Sequence, residues 1–575
     1  MWFLYAPAAL IIYVFFSSIK SFINNYAAAK KTGLPIVISP VQRLNIPWIL
    51  AQQSLSPVLA QLPFRLGSFT RYSTLSYWFQ DKYRLHEQVG KTFMYVSPGM
   101  NELHSADPFV NRQIFARKRD FEKSEEILNW QRHRRITTSP FNERNNKLVW
   151  DESIRQTQQV MAYWSKYGAA GFNTTTHDWT IVTLNILATA AFGESWDFLG
   201  LGEHKPEAVD QLKSKTVSDM EMSSRKSIAI LASSVRLLTL TPRWFFSVPP
   251  SFMPTKSLQQ FVAAHMQFEQ CMKEMVAKKR AEIASGEIIN DATFLSTLIL
   301  KSTEAQQEKI ALGPSGGGLS EDEIYGNLFF YHIAGHETTA GVLGYAVYLL
   351  AAFPKWQRWV HEEIDATYKP HIDVDKMDYK ETSPKLKRCL AVMHPQLEVL
   401  RLYGPTQFVV KSTIGPHGQD LEVEGKTCKI PPNTLVMPNG IASQTLPEYW
   451  GEDTLEWKPD RWITSTTDKY DASGLKDCGG VSNESVLPPA KAEETFLPWS
   501  GGGRVCPGKR FSQVEFVAMI SVLLNSYNIE IVPREGESEQ EARERCFAVI
   551  NNSASELTLQ MKDPTSVWLR LVARK

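Results

Sequence analysis

The six cysteines of this 575-residue chain form no C-x-x-C pair and keep no zinc-type spacing with histidine. That scatter argues against a disulfide framework or a structural metal site and fits a reducing compartment. Net charge is nearly absent too. Against 62 Lys and Arg stand 61 Asp and Glu, a balance of +1, so no global field draws the chain to nucleic acid or an anionic surface. Any charged partner must be met by a local patch. There is no internal repeat, and no G-x-G-x-x-G fingerprint by which the chain could itself hold a dinucleotide or flavin. What is there is the composition of a globular protein, 43% hydrophobic and 21% charged. Its 16 Trp and 29 Phe can line an apolar cavity or simply fill a core.

Charge is missing altogether from Met1 to Ile19, and a helix of that length, at about 1.5 Å per residue, spans roughly the hydrocarbon core of a bilayer. Residues 1–20 are therefore expected to form a transmembrane anchor. Lys20, Lys30 and Lys31 follow and no charge precedes, which places the rest of the chain on the cytoplasmic side. A cleaved signal peptide ending at Ala27–Ala28–Ala29 is the competing reading; it lacks a charged leading region. Residues 21–64 read as a linker and membrane-proximal segment, and residues 65–575 as one large domain.

Helical periodicity dominates that domain, as in Asp151–Tyr167 and Ser257–Ser285. Strand patterns are confined to Thr427–Pro438, Glu556–Met561 and Val567–Ala573, so the expected class is mainly α with small β-sheets. Lys301–Leu319 and Thr464–Thr495 read as surface insertions. Ser320 and Glu323 make a capping box for a helix expected to run to about Ala352, ahead of Pro354. Its middle, Tyr331 to Thr339, holds Gly335 and β-branched residues that helix propensity disfavours.

Pro498–Gly508 (PWSGGGRVCPG) is a glycine-dense loop that leads Cys506 into a helix expected from near Pro507. Backbone N–H groups and the helix dipole there favour a thiolate, and the glycines let backbone approach something flat and bulky. On these residues alone Cys506 is a cofactor ligand, a nucleophile or a buried thiol. Glu398 and Arg401, at i and i+3, are on their own an ordinary helix pair worth at most about half a kcal/mol. Trp130 and Arg134, one turn apart, are on their own part of a basic helix face.

Together these segments resemble the cytochrome P450 superfamily. Trp499, Gly502, Arg504, Cys506 and Gly508 match the spacing of its haem-binding signature, with Trp where Phe is commoner. Ala334-Gly335-His336-Glu337-Thr338-Thr339 is similar to its oxygen-activation segment. In that role Gly335 would open space against the macrocycle, and the Thr338 hydroxyl would bond the Ala334 carbonyl and loosen the helix. Glu337 and Thr338 would be the acid and alcohol that pass protons to bound oxygen. Glu398 and Arg401, with Trp457-Lys458-Pro459-Asp460-Arg461-Trp462, resemble the family's buried triad of Glu398, Arg401 and Arg461, a scaffold rather than chemistry. Trp130 and Arg134 resemble its Trp-x-x-x-Arg element, and Lys411 and Arg504 stand where relatives bind haem propionates.

The resemblance implies a P450 fold with a single large haem domain behind its amino-terminal membrane anchor. It implies haem b with Cys506 as axial iron ligand, and NADPH used only through a flavoprotein reductase. It further implies monooxygenation of an apolar small molecule, with Phe330, Thr406 and Phe408 and the loop Ser553–Glu556 as substrate contacts. The loop wording is most similar to microsomal enzymes of filamentous fungi, which suggests a secondary-metabolite pathway and an endoplasmic reticulum membrane. Arg132, Arg135, Lys509 and Arg510 are the expected reductase patch. A haem-thiolate isomerase or dehydratase needing no reductase, and a non-catalytic haem-binding membrane protein, are the alternatives.

Overall fold

The computed structural model describes residues 2–63, 66–121, 124–200, 241–286, 293–312, 317–368, 377–393, 398–407, 409–413, 416–464, 469–470, 476–477, 484–487, 492, 494–555 and 558–574, with scattered positions from 227 to 238. Its hub is the helix Glu321–Ala352. Ser320 starts that helix through a complete capping box with Glu323, and the chain turns at Phe353 before Pro354 opens the next helix, Pro354–Thr367. From Thr339 to Ala352 nearly every side chain is buried, because helices pack on it from several sides. Thr175–Phe192 lies along it, and Glu539–Asn551 crosses it farther on.

The helix Glu143–Ser165 is the second support. Asn142 caps it by accepting from the backbone of Arg144 and Asn145 at 3.0 and 3.2 Å. Its buried stripe through Val149, Trp150, Ile154, Val160 and Trp164 packs on Thr175–Phe192 and on Lys509–Ser526, the helix that follows the cysteine loop. Two Trp side chains in that stripe find polar partners inside the core. Trp150 donates to the Met377 carbonyl at 2.9 Å and Trp164 to Asp178 at 2.8 Å.

The larger sheet holds β1 (Ile36–Ile38), β2 (Thr92–Val96), β3 (Asn101–Ser105), β4 (Lys411–Ser412) and β5 (Leu435–Pro438), in the order β1-β2-β3-β5-β4. β1 lies in the stretch read as linker, yet it pairs in parallel with β2 from Ile36↔Met94 to Ile38↔Val96. The amino-terminal helix runs from Trp2 to Lys30, beyond the expected anchor. Its far end docks on the sheet, with Asn25 donating to the Ser97 carbonyl at 2.9 Å and Ala29 fully buried. The alanines at 27–29 thus sit inside a helix, Ala29 as a packing residue and Ala27 exposed. Among the described residues no helix is long and apolar enough to cross a membrane.

Two expected insertions are built differently. Residues 301–312 belong to the helix Phe294–Leu312, whose Ser302 and Ala305 are buried. Within Thr464–Thr495, Ser485–Val486 pairs with Ile463–Thr464, and the buried Glu484 carboxylate holds Arg388 at 2.6 Å.

One fully buried carboxylate, Glu398, gathers five donors. Arg401 bonds it at 2.7 and 2.8 Å, Arg461 at 2.9 Å, the Trp462 indole at 3.0 Å and the Lys458 backbone at 3.0 Å. Arg401 also donates to the carbonyls of Gln444 at 3.0 Å and Thr454 at 2.6 Å. The Gln444 side chain in turn accepts from the Leu497 backbone at 3.0 Å, immediately before the cysteine loop. Burial drives the Glu398 carboxyl up, but the Arg401 and Arg461 charges more than reverse this and hold it below the usual carboxylate range.

Removing one partner would strand buried charge, so Arg461→Met is expected to cost about 3–5 kcal/mol in denaturant unfolding. A carboxylate held below its unfolded value contributes stability above that value and loses it as the pH falls through the folded one. The acid limb of the stability curve, below about pH 4, should therefore flatten in Glu398→Gln, and an unchanged limb would contradict the assignment.

Candidate active site

The cysteine loop is closed by its own backbone. Ser500 N–H bonds the Leu497 carbonyl at 3.0 Å, and Cys506 N–H returns to the Trp499 carbonyl at 3.0 Å. Ser500 and Gly502 take φ of 65° and 63°, the left-handed region, and Gly502 leads into a short 3-10 turn, Gly502–Arg504. A Cβ on Gly502 would stand 2.6 Å from the Phe115 carbonyl oxygen, and one on Gly501 3.0 Å from the Phe115 ring. Within the protein, the close approach that these two glycines permit is to Phe115 of the helix Pro108–Ala116.

The helix after the loop begins at Lys509 with Gly508 as its cap, so Cys506 precedes the first turn rather than entering it. Burial pushes the Cys506 thiol up, while the Gly508 backbone N–H and the Arg134 charge pull it down. Arg134 itself donates to the Val505 carbonyl at 2.5 Å, beside the cysteine.

Cys506 faces a cavity of about 550 Å3, and Ala334, Gly335, Thr338 and Thr339 form part of the same wall system. The Thr338 hydroxyl donates to the Ala334 carbonyl at 2.8 Å, as expected, and Thr339 to Gly335 at 3.2 Å. A Cβ on Gly335 would meet Leu187 at 3.1 Å, so the missing side chain admits the neighbouring helix Thr175–Phe192 as well as opening the cavity. His332 and His336 belong to that helix contact. His332 stacks on Phe192 at 5.7 Å, and burial pushes it down to about 3, a neutral core histidine.

Of the other expected residues, Arg504, Gly508, Phe330 and Thr406 line the cavity. Lys411 is buried under the Phe115 ring, its ammonium 5.5 Å from the centroid. Phe408 and the Trp130 side chain lie outside the described residues. Glu337 turns out of the cavity and accepts from Thr558 at 2.8 Å and Gln560 at 3.0 Å. Arg132 is not available for the expected basic patch: it is engaged by Glu323, at 2.9 Å through one nitrogen, with His133 on the same carboxylate. Arg135, Lys509 and Arg510 are exposed.

Sequence reasoning missed the aromatic walls, Phe115, Phe141, Phe294 and Phe511. It also missed Glu515, a fully buried acid on the helix after the cysteine loop that burial keeps well above the carboxylate range. All five leave only an ordinary core pattern in the sequence, and it is the fold that brings the four phenylalanines to the cavity.

A thiol on one side, a groove with a hydroxyl on the other, aromatic walls and Arg504 at the edge fit a haem held by Cys506. The profile of the family described as cytochrome P450 matches residues 104–556. The chain belongs to the cytochrome P450 family, whose haem-thiolate cofactor receives NADPH electrons through a reductase. A cytochrome P450 monooxygenase of Arthrobotrys oligospora is 27% identical, over 96% of this chain and 95% of that one. The phomenoic acid biosynthesis cluster cytochrome P450 monooxygenase of Leptosphaeria maculans is 28% identical over 91% of each. A crystal structure of a cytochrome P450 superimposes with a TM-score of 0.60 at 16% identity, over 86% of this chain and 98% of that one.

Gly502→Ala is expected to cost about 1–3 kcal/mol through positive φ and the Phe115 contact, and to lower haem retention on gel filtration. Parental stability and retention would show that the loop does not depend on this glycine.

Proposed function

We propose that this protein is a haem-thiolate monooxygenase that places one atom of dioxygen into an apolar small molecule. The observation that carries the reading is that Cys506 and the Ala334–Thr339 groove line one cavity. When bound, the haem supplies dioxygen activation, with electrons from NADPH through a membrane-bound flavoprotein reductase. The chain's own residues do the rest. Cys506 holds the iron as thiolate, with Gly502 and Gly508 shaping its loop. Arg134, Arg504, Lys411 and Trp130 would hold the propionates. Glu337 takes protons from the solvent side, and Thr338 would pass them on at its Oγ1 once its hydroxyl leaves the Ala334 carbonyl. Glu398, Arg401 and Arg461 keep the loop in place.

Apolar walls from Phe330, Thr406 and the phenylalanines select an apolar skeleton and exclude water. The Leptosphaeria relative's place in a biosynthetic cluster supports a role in fungal secondary metabolism. Exposed Ile12, Val14, Phe15, Phe16 and Ile19 on the first helix, with Leu50, Val58 and Leu66 nearby in sequence, support an endoplasmic reticulum anchor in residues 1–20. The segment 21–64 would then lie against the membrane, with 65–575 as the cytoplasmic haem domain. Arg135, Lys509 and Arg510 are the proposed reductase contacts.

Reconstitution with reductase, NADPH and 18O-labelled dioxygen tests the reading. One labelled atom per product and strict NADPH dependence are expected; product formed without NADPH would make the chain an isomerase or dehydratase, and haem binding without turnover a silent one. Thr338→Ala should bind haem as the parent does yet release most electrons as peroxide, a product loss of about 10²-fold or more.

A further inference from the structure

Glu337 and Thr338 are adjacent on one helix, and roughly 100° of helical rotation between neighbours sends them to different surroundings. Thr338 lines the cavity, whereas Thr558 and Gln560, two donors to Glu337, come from the carboxy-terminal hairpin. That hairpin pairs Ser553–Ser555 with Leu559–Met561 in antiparallel register. Alternation along an extended chain puts Thr558 and Gln560 on one face, and both reach the same oxygen, Glu337 Oε1, at 2.8 and 3.0 Å. Thr558 is buried and Gln560 exposed, so the pair runs from the protein interior to water.

The hairpin is itself held firmly. Tyr345, two turns beyond Glu337 on the same helix, donates to Ser553 at 2.7 Å. The Ser555 backbone donates to Ser76 at 2.9 Å, and the Leu559 backbone to the Pro405 carbonyl at 3.0 Å. Pro405 lines the cavity. Two donors on a fixed hairpin grip one oxygen of the carboxylate, which bounds the orientations from which it can turn toward Thr338.

We propose that Thr558 and Gln560 are positioning residues that hold Glu337 at the solvent end of its path and set how it turns to deliver protons. The inference rests on the proton-supplying role given to Glu337 above. Product formation consumes substrate, dioxygen, two reductase electrons and two protons, and yields oxygenated product and water. Peroxide release consumes the same electrons and protons without touching substrate. A Glu337 released from the hairpin would take orientations from which it does not turn toward Thr338, and the balance would shift toward peroxide.

The test compares Glu337→Gln with the double variant Thr558→Val, Gln560→Leu. In the resting protein, with no turnover, the infrared carboxylate band lost in Glu337→Gln should shift in the double variant. With reductase and NADPH, its peroxide per NADPH should rise about threefold to tenfold, and Thr558→Ser should restore the threonine share. Gln560→Leu alone, at an exposed position, keeps the test open should the double variant misfold. If Glu337→Gln leaves the peroxide fraction at the parental level, the role of Glu337 falls and this inference with it. If Glu337→Gln raises peroxide while the hairpin variants leave both band and peroxide unchanged, only the inference is overturned.

Discussion

A carboxylate with no contact to water, Glu398, has to be neutralised where it stands, and much of the site follows from how that is done. Taking such a charge out of water costs several kcal/mol unless opposite charge and hydrogen bonds replace the lost solvent. Arg401 and Arg461 supply the charge, and Trp462 and the Lys458 backbone complete the coordination. The requirement ties together three segments far apart in sequence. Through Arg401 and Gln444 it reaches Leu497, so the residues just ahead of the cysteine loop have one place to be.

From that fixed point the loop is shaped by backbone rather than by side chains. Positive φ at Ser500 and Gly502, and the return of Cys506 N–H to Trp499, bring the thiol round to the cavity. Phe115, itself a wall of the cavity, packs against the two glycines. Opposite, Gly335 lets Leu187 close in while Thr338 turns its hydroxyl to its own helix carbonyl. A ligand atom and a proton-bearing groove thus come to share one apolar space, the arrangement from which the P450 reading draws its chemistry.

Features written in contiguous residues were legible beforehand. The capping box at Ser320 and the Thr338 bond to Ala334 appear in the structure as read, and the grouping of Glu398 with Arg401 and Arg461, legible only through the family resemblance, appears with them. Contacts set by the fold were not. Nothing near Gly502 announces Phe115, nothing near Arg132 announces Glu323, and Thr558 and Gln560 lie more than two hundred residues from Glu337. The helix over 301–312 escaped notice because it buries Ser302 and Ala305, small residues that leave no apolar periodicity. Pro507, a favoured first helical residue, points to a helix start two residues ahead of the true one, because the cap falls on Gly508.

The account stands on Cys506 as the thiolate ligand, and the carbon-monoxide complex of the reduced holoprotein reports on that bond alone. The parent protein should show the red-shifted absorption of a thiolate-bound haem, and Cys506→Ser should lose it together with all monooxygenation. A serine variant that kept both the shifted band and turnover would contradict the assignment of Cys506.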